Sequence, residues 1–134
     1  MDTAPEALLT EQAAGLAVLL EGLLGESLKT PELLRQALVH SSAVQEAALT
    51  GFEHNERLEF LGDAVLELAV TEELYARFPE QQEGALSKIR ATLVRTGTLA
   101  QVARRWGLDT LLVCRSEERR VGKECRSRSS LYHQ

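Results

Sequence analysis

The 134 residues carry fifteen basic and twenty acidic side chains, a formal net charge of −5, with 44% hydrophobic and 26% charged residues. This length holds one domain whose core stands without staples. The charge excludes a global basic footprint for a polyanion, so such a partner needs a local basic face or metal ions to offset the acids.

Glycine (9) and proline (3) are sparse, while Leu, Ala and Glu abound, a composition that leans to helix. The opening MDTAPEALLTEQ has acids where a signal peptide needs bases. No apolar run appears long enough for the roughly 18–20 residues that span a bilayer. The expectation is a soluble, cytoplasmic protein without a membrane partner. A first helix is predicted from Thr10 to Leu24, with Leu16, Leu19, Leu20, Leu23 and Leu24 as its apolar stripe and Gly25 as its stop. A second begins with Thr30 as N-cap and Pro31 at the first helical position, and runs to Ser41. Ser42 to Glu53 is ambiguous, with a turn at Thr50-Gly51.

Asn55 is a natural N-cap for a long third helix that runs to Phe78, where Pro79 ends it. PEQQEG is a polar linker. ALSKIRATLVRT follows as a fourth helix carrying Lys88, Arg90 and Arg95. Thr98 and Gln101 match a capping box opening a fifth helix, LAQVARRWG, which closes at Gly107. No stretch alternates long enough for a strand, so the fold class is all-α.

The last twenty-one residues, CRSEERRVGKECRSRSSLYHQ, change style. They hold six basic and three acidic residues, against nine basic and seventeen acidic before them, and have no apolar period. This segment reads as a disordered basic tail or as an arm for phosphate backbones. Its cysteines, Cys114 and Cys125, fit neither a zinc site nor a disulfide framework and read as free thiols.

The third helix carries the chemistry. In HNERLEFLGDAVLELAV, at about 100° per residue with Glu56 at 0°, Glu59 falls near 300°, Asp63 near 340° and Glu67 near 20°. Leu58, Leu61, Val65, Leu68 and Ala69 take the opposite side, and Leu66, Val70, Phe60 and Ala64 flank the acids. The helix is therefore apolar nearly all round with one narrow acidic seam. A freely solvated face would be broadly polar. Like charges at i,i+4 cost a few tenths of a kcal/mol each, and two readings answer that cost. Arg57, Arg77, Lys88 or Arg90 neutralises the seam as ion pairs, or a hard divalent cation binds it. Mg²⁺ takes carboxylate oxygens while keeping waters and room for phosphate oxygens. Gly62, costing about 1 kcal/mol against Ala in mid-helix, marks a close approach of another helix or a ligand.

Asn55 to Leu66, NERLEFLGDAVL, resembles the signature of the ribonuclease III family of double-stranded-RNA endonucleases. PELLRQALVHSS (Pro31–Ser42), LSKIRATLVR and TLAQVAR (Thr98–Arg104) resemble that family's flanking elements in the same order, over residues 15–113. The resemblance implies an all-α nuclease domain, here incomplete at its C-terminal side. Such domains form homodimers and cut both strands of an RNA duplex with Mg²⁺, or Mn²⁺ in its place, leaving 5′-phosphate and 3′-hydroxyl ends. They mature ribosomal precursors and other structured RNA. Glu59 matches the first metal-ligating carboxylate and Asp63 the second catalytic acid. Glu56 and Glu83 match acids near the dimer cleft, beside Gly62. Lys88, Arg90 and Arg95 either pair with the seam or touch phosphate.

The departures are equally specific. The family continues past LDTLLV with a Gly-rich turn and a D-x-x-E-A-x-x-G-A helix bearing two more acids, and residues 114–134 resemble neither. The RNA-binding domain that usually follows in the family is not matched. Residues 1–113 thus read as a partial nuclease domain and 114–134 as a non-homologous tail, from a truncation, a frameshift or a cloning vector. His40 reads as structural and Trp106 as a core residue. Two functions remain open: an endoribonuclease, or a non-catalytic module of the same fold that dimerises or binds RNA.

Overall fold

A computed structural model describes residues 4–45 and 53–113 of the chain. Helix α1 runs Ala4–Leu24, six residues earlier than expected, because Pro5 sits in its first turn, where a missing N–H is no loss. Gly25 ends it in a left-handed conformation, φ 71°, with its N–H donating to Glu21 O at 2.8 Å. Helix α2, Pro31–Leu38, stops short of Ser41 because Val39 turns extended. Val39 forms an isolated parallel bridge with Val113, 74 positions later. There Val113 N–H donates to Leu38 O at 2.8 Å and His40 N–H to Val113 O at 3.0 Å. A short α3, Ser41–Gln45, occupies part of the stretch left ambiguous by the sequence. The Thr50-Gly51 turn lies outside the described residues, as do Cys114, Cys125 and the basic tail.

Helix α4 spans Glu56–Arg77 with Phe78 as its C-cap, as the sequence indicates. Helix α5, Glu83–Val94, starts inside the expected linker, so Glu83 stands in its first turn. Helix α6 is Thr96–Arg105, with Arg95 rather than Thr98 at the N-cap. The Thr98 hydroxyl makes no cap. It donates to Thr92 O at 2.9 Å, tying α6 back to α5. Gly107, φ 74°, leads into a 3₁₀ turn at Leu108–Thr110. Apart from the single bridge, the described residues contain no extended pairing, and the all-α class holds.

The core belongs to one end of the molecule. Leu9, Ala13 and Leu16 of α1 pack with Leu38, Val39, Ala43 and Val113, and Leu34, Leu108 and Leu111 close around them. Each buried leucine contributes about 1.5–3 kcal/mol. A Cβ at Gly15 would stand 3.1 Å from Leu111 Cδ2, a contact tight enough that the leucine side chain would have to give by a few tenths of an ångström. Against the sequence expectation, Pro5–Leu24 is long and apolar enough to cross a membrane by length and composition, with a mean hydropathy of 1.4. One stripe of that helix is nonetheless the core of this fold.

Helix α4 contributes nothing to that cluster. It lies against α5, α5 against α6, and α6 against the 3₁₀ turn. Its one buried residue is Leu74. An all-round apolar helix is normally an interior one, yet Phe60, Leu61, Val65, Leu68 and Tyr75 are exposed here.

Candidate functional site

The acidic seam lies at the surface. Glu56, Glu59, Asp63 and Glu67 are all exposed on α4. Among the described residues, the side chains of Glu59, Asp63 and Glu67 make no hydrogen bond or ion pair. The ion-pair reading of the seam is therefore not met by the described side chains. Arg77 pairs with Glu73 instead, one turn up the same helix. Arg90 reaches α4 but donates to Thr71 Oγ1 at 2.8 Å. Arg95 Nε donates to Thr98 Oγ1 at 3.2 Å, and Lys88 is exposed. The three bases predicted to meet phosphate thus sit on or just beyond α5, with Arg90 beside α4.

Glu56 starts the helix with a local partner. Its N–H donates to His54 Nδ1 at 3.4 Å, and its carboxylate lies 3.8 Å from the same ring nitrogen. Glu83 accepts from the Ser87 hydroxyl at 2.7 Å, one turn along α5. At Gly62 no other part of the described chain comes within 4 Å of where a Cβ would stand. Any close approach to that glycine comes from outside the described residues.

Metal-binding capacity follows from the donor set. Among the described residues no three His, Cys, Asp or Glu side chains converge into a cage. What α4 offers is a pair, Glu59 and Asp63, one turn apart and unpaired. Such a pair suits Mg²⁺, which binds through one or two carboxylates and fills its remaining positions with waters and phosphate oxygens.

His40 is structural, as expected. Its Nδ1 accepts from Ser42 N–H at 3.2 Å and lies 2.7 Å from Ser42 Oγ, holding the start of α3. Trp106 is not a core residue: it is 48% exposed at the end of α6.

Asn55 was read as a helix cap and does something else. Its side chain makes no capping bond. Nδ2 donates to Ala37 O at 3.0 Å, and its backbone N–H donates to Val39 O at 2.9 Å. Gln36 adds an outer strap, donating to Glu53 Oε2 at 3.0 Å. No local pattern announces these pairings, which join residues 16 to 18 positions apart along the chain.

A ribonuclease-III-like family profile matches residues 30–131, well over half of the chain. The chain belongs to the ribonuclease-III-like family. It is similar to Ribonuclease 3 of Oleidesulfovibrio alaskensis, 54% identical over 100 residues, which are 74% of this chain and 42% of that protein. Ribonuclease 3 of Desulforamulus reducens is 53% identical over 104 residues, 75% of this chain and 42% of the relative. Among solved structures, the nuclease domain of ribonuclease III from Campylobacter jejuni matches with a TM-score of 0.65 and 39% identity. It covers 78% of this chain and 68% of that domain, and was described for flexibility in a region involved in dimer formation. This ribonuclease-III-like chain thus spans about 42% of the length of the curated relatives it matches. The six helices among the described residues match the fold of that nuclease domain.

Proposed function

We propose that this chain is the α4-centred part of a double-stranded-RNA endoribonuclease, with Glu59 and Asp63 as its catalytic acids. The observation that carries the reading is the unpaired carboxylate pair on the exposed face of a helix whose sequence is a ribonuclease III signature. Two like charges one turn apart are kept without a basic partner, an arrangement that costs stability and suits a cation. Glu59 and Asp63 would hold Mg²⁺, or Mn²⁺ in its place. The bound ion supplies an activated water and charge stabilisation for phosphodiester hydrolysis, leaving 5′-phosphate and 3′-hydroxyl ends.

The remaining work falls to the chain's own groups. Lys88 and Arg95 offer positive charge on or beside α5 to the phosphates of an A-form duplex, which is recognised by shape and backbone more than by base edges. Arg90 holds its position through Thr71, next to α4. Glu56, Gly62 and Glu83 mark the side where a second copy completes a dimer cleft. In this reading the partner is duplex RNA, in ribosomal and other structured precursors, the assembly is a homodimer and the setting is the cytoplasm. Residues 1–113 carry the acid-bearing helix and its supports, and the family match runs on into the basic segment as far as residue 131.

One observation favours a second reading: no third carboxylate joins the pair among the described residues. A non-catalytic module that binds RNA or dimerises would need none. Labelled duplex RNA with Mg²⁺ separates the two. Cleavage by the chain that is lost in Asp63→Asn establishes the nuclease. Retention of duplex RNA with no cleavage by either form establishes the module.

A further inference from the structure

We propose that Asn55 is a positioning residue, a donor latch that sets where the acid-bearing helix leaves the core. The proposal rests on the nuclease reading only in naming Glu59 and Asp63 as the groups positioned. Helix α4 shares no residue with the core cluster of α1, α2, α3 and the 108–113 segment. Its junction with that core carries a set of hydrogen bonds. Asn55 donates twice, through N–H to Val39 O at 2.9 Å and through Nδ2 to Ala37 O at 3.0 Å. Gln36 Nε2 straps the preceding residues through Glu53 Oε2 and His54 O, at 3.0 and 3.4 Å. Ala37 lies in the last turn of α2 and Val39 just beyond it, where helical partners run out. The latch therefore satisfies two orphan acceptors and fixes the direction of α4 at once. Glu59 follows one turn later, its N–H donating to Asn55 O at 2.8 Å.

A cap and a latch make opposite demands on this side chain. An N-cap accepts a hydrogen bond, and aspartate serves there as well as asparagine. The latch donates, and an ionised aspartate would set a carboxylate oxygen against the Ala37 carbonyl. A protonated aspartate regains an O–H donor. In Asn55→Asp the native state disfavours the charged form, so the carboxyl titrates higher folded than unfolded. Its contribution is then present at low pH and lost as pH rises through and above about 4.

The test compares melting temperatures of the full chain as wild type, Asn55→Asp and Asn55→Ala at pH 7 and pH 3.5. Glu53, His54, Glu56 and Arg35 are common to all three, so differences between variants cancel their titration. At pH 7 we expect Asn55→Asp to melt below Asn55→Ala by several degrees, and at pH 3.5 to equal or exceed it. Amide exchange from Phe60 to Asp63 should quicken about five- to tenfold in Asn55→Ala, the loss of one hydrogen bond, while α6 is unchanged. An Asn55→Asp chain that matches wild type at pH 7 overturns the latch in favour of a cap. One that stays unfolded at both pH values while Asn55→Ala folds also overturns the latch, since a protonated aspartate should restore the donor. None of these readouts needs cleavage, so failure of the nuclease reading would show separately.

Discussion

Gly62 has the sharpest consequence among single residues. Within the described chain nothing lies near its missing side chain, so Gly62→Ala should gain helix propensity of about 1 kcal/mol. If a second copy approaches there, the same methyl group opposes association. We expect Gly62→Ala to raise the melting temperature in dilute solution and to weaken self-association, read by sedimentation equilibrium. Gly15 gives the contrast. It is also helical, but its Cβ would meet Leu111 at 3.1 Å, so Gly15→Ala should fall at least about 1 kcal/mol below Gly22→Ala, whose surroundings are open. Chemical denaturation of the pair checks this. Asp63→Asn removes one like-charge neighbour on each side, and should stabilise the folded chain by a few tenths of a kcal/mol while abolishing any cleavage. Single residues were also where the sequence misled. Asn55 and Thr98 both matched capping patterns, and both side chains instead bond to carbonyls of another helix, Ala37 and Thr92. A capping pattern is local, whereas those partners are set by packing that no short window contains.

At the scale of elements, α4 divides into two sides with different fates. Leu66, Val70 and Leu74 turn towards the packed side, while Leu61, Val65, Leu68 and Tyr75 form an open apolar stripe. Truncation should separate stripe from core. Leu9→Ala, at a site 1% exposed, should cost about 2–5 kcal/mol. Leu68→Ala, at a site 69% exposed, should cost the monomer no more than about 0.5 kcal/mol. Leu68→Glu should lower the concentration-dependent association expected of such a face, visible by light scattering after size exclusion. The helices themselves were readable because length, 3.6-residue spacing and Gly or Pro stops are local. The start of α1 was misplaced at Thr10, six residues late, although Pro5 in the first turn is a local signal. The end of α2 was not readable: Val39 leaves the helix to meet Val113, and a pairing across 74 positions leaves no mark on either neighbourhood.

For the whole molecule, burial is unevenly shared. The cluster around Leu9, Leu38, Val39 and Val113 is well closed, and the α4–α5–α6 layer has one buried side chain in α4 and none in α5 or α6. Free energies of local opening track buried apolar contacts. Native-state hydrogen exchange should therefore show α4 and α5 opening at lower free energy than α1 and α2, and the thermal melt should be broad. The placement of the candidate acids Glu59 and Asp63 one turn apart on a helix was legible from the spacing alone. Their exposure was not legible, because an apolar helix predicts a cover without saying which part of the molecule supplies it.

The bridge at Val113 also fixes a point of departure. Val113 is stitched to Leu38 and His40, and the residue between them, Val39, receives the N–H of Asn55. A dye, spin label or fused module placed after residue 113 therefore starts its path at the foot of α4. That helix has 22 residues, about 33 Å at 1.5 Å each. Ten residues of extended chain reach about 35 Å. A tether of that length anchored at Val113 could report on every carboxylate of the seam, from Glu56 to Glu67, without leaving the helix.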